Sequence, residues 1–191
     1  MIKKAAMKKS KGESVKIGTI AAIAAGLAAI YLGGRLLPAY GAGDVKPIGG
    51  IRCDRDEYTI FHIHAHLDIF VNGQPYSIPE FVGIIQPRCL YWMHTHDDSG
   101  ILHVEAPQAR VFTLGQFFDI WKATAKGAPA MKEKPKVFVN GKRVNAGLEQ
   151  VEITQLSEIA VIYGKEPSAI PSFYNFPQTY LAPPRPPGAL R

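Results

Sequence analysis

Six histidines fall between residues 62 and 103, and the rest of the 191-residue chain contains none. Neutral imidazole is a preferred ligand of zinc, copper and iron, so this concentration points first to transition-metal chemistry. His62, His64 and His66 alternate in FHIHAHLDIFV. Residues two apart on an extended chain point the same way, which puts all three on one strand face. Neighbouring members are about 6.6 Å apart and can chelate one ion; His62 and His66, about 13 Å apart, cannot share it without a bend. His94 and His96 make a second His-x-His pair, followed by Asp97-Asp98-Ser99-Gly100 and then His103. A tight turn over those four residues sets His96 opposite Ile101, His94 opposite His103 and Trp92 opposite Glu105. His94, His96 and His103 then converge on one ion. A three-residue loop would flip one strand and dissolve the arrangement. Asp97, Asp98 and Glu105 beside this group, and Asp68 beside the first, are the carboxylates placed to orient the rings.

The donor set suits copper or zinc, with divalent copper favoured on intrinsic affinity. A blue-copper site is ruled out: Cys89, Met93 and His94 have the wrong order and spacing, and Cys53 offers Cys89 a disulfide partner. Cupins also carry His-x-His on a strand, but the glutamate their motif needs is replaced here by Phe70 and Val71. No Gly-x-Ser-x-Gly, phosphate-binding glycine loop or His-Glu-x-x-His occurs. A metal-dependent enzyme would have to draw its acid or base from Glu105 or Asp98, and no catalytic residue is assigned. The competing reading takes the histidines as structural or pH-sensitive strand residues in an assembly or adhesion module.

Patterning defines the elements that must hold these side chains. In 58–71, Phe61, Ile63, Ala65, Leu67, Ile69 and Val71 form an apolar face behind the histidines, the period-2 signature of a half-buried strand. Asn72-Gly73 is a hairpin turn, so 74–78 should return with Ile69 opposite Tyr76 and Leu67 opposite Ile78, and Pro75 makes this strand an edge. Residues 89–96 and 101–106 form a second pair. Residues 113–122 begin with a threonine cap and place Leu114, Phe117, Phe118 and Trp121 at helical spacing. A second Asn-Gly hairpin spans 136–144, and 158–163 supplies a last strand. The expectation is an α+β fold, mainly antiparallel, with about seven strands and one amphipathic helix, β-grasp-like; a β-sandwich is the alternative.

Residues 17–34 carry no charge, and Arg35, Leu36 and Leu37 extend this run to about 30 Å of helix. Six lysines and one acid precede it, whereas only Arg35 follows before Asp44, which places the N-terminus in the cytoplasm. The organisation expected is a basic cytoplasmic flank (1–16), a single transmembrane anchor (17–37), a glycine-rich linker (38–50), a histidine-rich extracytoplasmic domain (51–165) and a proline-rich tail (166–191). A secretory signal cleaved near Ala39 to Gly41 is the alternative. A pilin-type cut at Lys11-Gly12-Glu13, making a filament subunit, is a third reading. The net charge of +6 belongs to the flank, because 15 basic and 15 acidic residues follow Tyr40. That balance argues against a nucleic-acid partner and leaves the membrane.

Cys53 and Cys89, the only cysteines, pair naturally in an exported domain, closing a loop of about 37 residues. The tail has 7 prolines in 26 residues with Phe173, Tyr174, Phe176 and Tyr180 interspersed, and either wraps the domain or docks on a protein partner. Together HIHAHLDIFVNG, CLYWMHTHDDSGILHVEAP and FTLGQFFDIW resemble a family of uncharacterised prokaryotic exported or membrane-anchored domains. The resemblance covers residues 53 to 163 and implies no activity.

Overall fold

The computed structural model describes residues 45–130 and 133–181. The apolar run 17–37, its lysine flank and residues 182–191 lie outside these; among the described residues no helix is long and apolar enough to cross a membrane. The described elements are β1 (Cys53–Asp54), β2 (Phe61–Val71), β3 (Gln74–Pro75), β4 (Ile84–Ile85), β5 (Cys89–Tyr91), β6 (Met93–His94), β7 (Ile101–Ala106), α1 (Leu114–Thr124), β8 (Lys136–Val139), β9 (Lys142–Val144), β10 (Glu158–Tyr163) and α2 (Gln178–Leu181). The architecture is α+β with mostly antiparallel sheets. The main sheet has the order β6-β7-β2-β10-β8-β9, with β3 pairing the end of β2, and the small sheet the order β1-β5-β4. All pairs are antiparallel except β2 with β10, which is parallel. β10, EIAVIY, is buried throughout, as a central strand covered on both faces must be.

Ten strands stand among the described residues where about seven were expected. β1 and β4 are two residues each, too short to show a period. The stretch 89–96 is cut at Trp92, whose N–H donates to Arg52 O at 3.2 Å and whose carbonyl accepts from Glu105 N at 2.7 Å. Its indole also donates to Asp54 Oδ2 at 2.7 Å, so the residue ties β1 to the main sheet. The returning strand after Asn72-Gly73 is shorter than 74–78. Tyr76 N still reaches Ile69 O at 2.7 Å, but Leu67 N donates instead to Gly100 O at 2.9 Å. Both Asn-Gly pairs have left-handed φ, 52° and 82° at 72–73 and 50° and 73° at 140–141, the geometry that matches strand twist in a two-residue hairpin.

α1 starts where expected. Thr113 accepts from Gln116 N while Gln116 Oε1 accepts from Thr113 N, a reciprocal cap. Its buried stripe, Leu114, Phe117, Phe118, Ile120 and Trp121, packs in one core with Ala65, Leu67 and Ile69 of β2 and Ile159 and Val161 of β10. The apolar face of β2 therefore meets the helix, and the even-numbered residues 62 to 70 take the other face. There Phe70 packs with Phe138, Ala160, Ile162 and the tail residue Ile170. Farther along the same face stand the histidines.

Candidate metal centre

β7 is the middle strand of the site, flanked by β2 and β6. Register sets His64 opposite His103 on one side and His94 opposite His103 on the other. One row therefore reads His64, His103, His94 across three strands. The next reads His62, Glu105, Trp92: His62 is paired with Glu105, whose N–H donates to Trp92. The His94–His103 and Trp92–Glu105 pairings are those the four-residue turn implies. Adjacency of β2 and β7 fuses what the sequence presents as two histidine groups into one cluster.

Within it, His94 Nε2 and His96 Nε2 face each other at 3.2 Å, and His62 Nε2 and His64 Nε2 at 3.0 Å. Glu105 Oε1 lies 3.1 Å from His62 Nε2 and 3.5 Å from His103 Nδ1. Donor atoms of His94, His96, His103 and Glu105 all fall within 4.8 Å of one another, as do those of His62, His64 and His103. With metal–nitrogen bonds near 2.05 Å, donors on a tetrahedral ion are about 3.3 Å apart, so both facing pairs have chelating spacing.

His94 is fully buried and its Nδ1 is held 2.9 Å from Tyr91 O. A carbonyl only accepts, so Nδ1 carries the proton and Nε2 presents its lone pair to the cluster. Burial, reinforced by the neighbouring imidazoles, pushes His94 down to about 4 and His64 to about 3. His96 is lowered for the same reasons. These rings are neutral at physiological pH, the form that binds metal. His62 is raised by its bond to Glu105. Burial alone would raise Glu105, but its contacts with His103 and His62 hold it down at about 2, so the carboxylate is charged. His64 Nδ1, His103 Nδ1 and Glu105 Oε2 are buried without a hydrogen-bond partner. Such atoms cost about 1–3 kcal/mol each, and an electron-pair acceptor among them would relieve that cost for those that carry a lone pair.

His66 stands apart from the other five. Its Nδ1 lies 2.7 Å from Glu158 Oε2 and its Nε2 2.9 Å from Ser99 O. The Ser99 carbonyl only accepts, so Nε2 carries a proton, and Nδ1 is taken up by Glu158, whose own carboxyl pKa is raised by burial. Burial disfavours a charged His66, but Glu158, Asp68 and the Ser99 carbonyl outweigh it and raise the pKa. Asp68 Oδ2 is 3.9 Å from the ring. His66, Asp68 and Glu158 have donor atoms close enough to hold an ion, yet His66 has no lone pair free for it. Asp97 accepts from Ser99 N and Oγ and so fastens the turn. Asp98 lines a shallow surface depression with Asp68 and Ser99.

Several contributors escape the sequence reading. Glu57 Oε1 approaches His96 Nε2 at 3.5 Å, and Gln155 Oε1 accepts from His64 N at 2.7 Å. The tail covers the histidine face: Tyr174 stacks on His66 with centroids 3.7 Å apart, and the Tyr180 ring lies 4.3 Å from His64 and 5.4 Å from His103. Of Glu57, Gln155 and Glu158, only Glu158 left a trace, as the one acid at the head of an otherwise apolar strand. Gly83 walls the site from below. Its φ is +79°, and an added Cβ would lie 2.5 Å from Met93 O and 3.2 Å from His94 Cβ. Gly83→Ala should therefore cost about 3 kcal/mol, combining left-handed strain with overpacking. Thermal melting checks this, and an unchanged transition would show that the wall gives way freely.

Comparison with protein-family models, with curated proteins and with solved structures finds no match for the chain.

Proposed function

We propose that this chain is a membrane-anchored, extracytoplasmic transition-metal protein, binding copper or zinc at His94, His96, His103 and Glu105 as a carrier or as an accessory subunit of a membrane complex. The observation that carries the reading is the facing His94–His96 pair, buried at its base, with His103 and Glu105 donors within chelating reach. Three imidazoles with one carboxylate suit divalent copper or zinc better than magnesium or calcium, which want oxygen. The disulfide between Cys53 and Cys89 supports an oxidising compartment. The apolar run 17–37, uncharged as far as Gly34, behind its lysine flank supports the anchor.

The topology also supports a β-grasp reading of the scaffold. Its long strands β2, β7, β8 and β10 run β7-β2-β10-β8 in space, the first and last parallel at the centre, with α1 between the second and third in sequence.

Full-length chain purified in detergent, stripped with chelator and reloaded with zinc or copper, should hold metal at one equivalent or more per chain by elemental analysis. Background levels after desalting would overturn the reading. The Tyr180 ring lies against His64 and His103, so it slows exchange without supplying the binding energy. Tyr180→Ala should speed metal loss to a chelator several-fold at unchanged stoichiometry; identical loss curves would show that the tail does not guard the site.

A further inference from the structure

We infer that the histidine row holds two metal ions rather than one, with His103 and Glu105 as ligands shared between them; this rests on the metal-binding reading above and deepens it. The placement is dictated by the sheet. β7 contributes His103 and Glu105, two residues apart and hence on one face. β2 brings His62 and His64 to one flank, and His94 on β6 with His96 just beyond it occupies the other. No group of mutually close donor atoms spans both flanks: His62 and His64 fall with His103, and His94 and His96 with His103 and Glu105, whereas donors on one ion lie within about 4.2 Å. One ion therefore cannot take both flanking pairs.

Each flank is nonetheless built as a chelate. The pairs are spaced at 3.0 and 3.2 Å, and each forms a candidate group that includes His103. Glu105 belongs to the His94 group, and its Oε1 also lies 3.1 Å from His62 Nε2 on the opposite flank. Six donor residues exceed what a single four-coordinate ion uses, and the excess falls as a second pair on the far side of the shared ligands. Three buried partnerless atoms fall in this row: His64 Nδ1 is on the β2 flank, and His103 Nδ1 and Glu105 Oε2 are in the middle, whereas Glu158 Oε1 lies beside His66 outside it. When both nitrogens of His103 carry an ion, its remaining N–H proton is released to solvent, whereas sharing through the Glu105 carboxylate releases none.

Copper(II) titration of the apo full-length chain should saturate at two equivalents. His62→Gln with His64→Gln, and separately His94→Gln with His96→Gln, should each retain one. Through shared ligands the two copper spins couple, so the doubly loaded chain should show an integrated paramagnetic resonance intensity well below two spins. Each one-copper variant should give a full spin per copper. Saturation at one equivalent, or two uncoupled spins, overturns the two-ion centre while leaving metal binding intact. No bound copper at all overturns both. If a variant fails to melt cooperatively, the stoichiometry and spin count of the unaltered chain decide the matter alone.

Discussion

Full-length chain carrying His94→Ala and His103→Ala should lose essentially all of the zinc or copper it otherwise retains after desalting. His94 forms the floor of the site: it is fully buried, its tautomer is fixed by Tyr91 O, and its free Nε2 points at His96. His103 occupies the middle strand and belongs to both candidate ligand groups. The double substitution leaves no group of three mutually close donors in the cluster: only His96 with Glu105 remains of one group and His62 with His64 of the other, where metal sites commonly use three or four protein ligands. Loss of even a supporting residue costs 10–100-fold in metal affinity, and removal of two ligands costs more. His66→Ala is the control, because both of its nitrogens are engaged by Glu158 and Ser99. It should retain full metal. Equal retention in the double variant and the parent chain would sink the site as drawn.

The second large effect is on stability. Cys53 and Cys89 form a disulfide across a sequence separation of 36, which in the chain-entropy model stabilises the fold by about 4 kcal/mol. Both cysteines are buried, and the bridge fixes β1 against β5 in the small sheet. β1 in turn carries Asp54, which accepts from the Trp92 indole at 2.7 Å and from Tyr58 OH at 3.0 Å. Cys53→Ser with Cys89→Ser should thus lower the melting temperature by on the order of 10 °C, and reduction of the parent protein should do the same. Coincident melting curves with and without reductant would show that the small sheet is held by packing alone.

Alternation placed His62, His64 and His66 on one face, and the length of the Asp97–Gly100 turn was enough to set His94 opposite His103. Both inferences rest on local geometry. The pairing of β2 with β7 does not, because about 30 residues, including β4 and β5 of the small sheet, separate the two strands. Hence the sequence shows two histidine groups where the fold has one, and it gives no hint that Glu105 faces His62. His66 illustrates the converse. It shares the face and the spacing, yet Glu158, brought alongside by the parallel strand, and Ser99 O occupy both of its nitrogens and leave no lone pair for a metal. Trp92 fits an unbroken strand by propensity, and only its bonds to Asp54 and Arg52 divide that strand. The aromatic spacing of the tail left wrapping and docking both open; Tyr174 and Tyr180 lie on the domain's own histidine face.

The parallel pairing of β2 with β10 also orders events during folding. His66 is aligned with Glu158, so the centre of the sheet joins segments 92 residues apart, whereas β6, β7 and β2 close within residues 61 to 106. Contacts of long sequence separation form late because their loop entropy must be met first. A nascent chain emerging N-terminus first would thus complete the ligand-bearing strands while β10 and the covering tail were still being delivered. Metal would have open access during that interval, before Tyr180 settles over the rings. Loading would then be fastest during biogenesis, and slower in the finished protein, where the Tyr180 ring lies against His64 and His103.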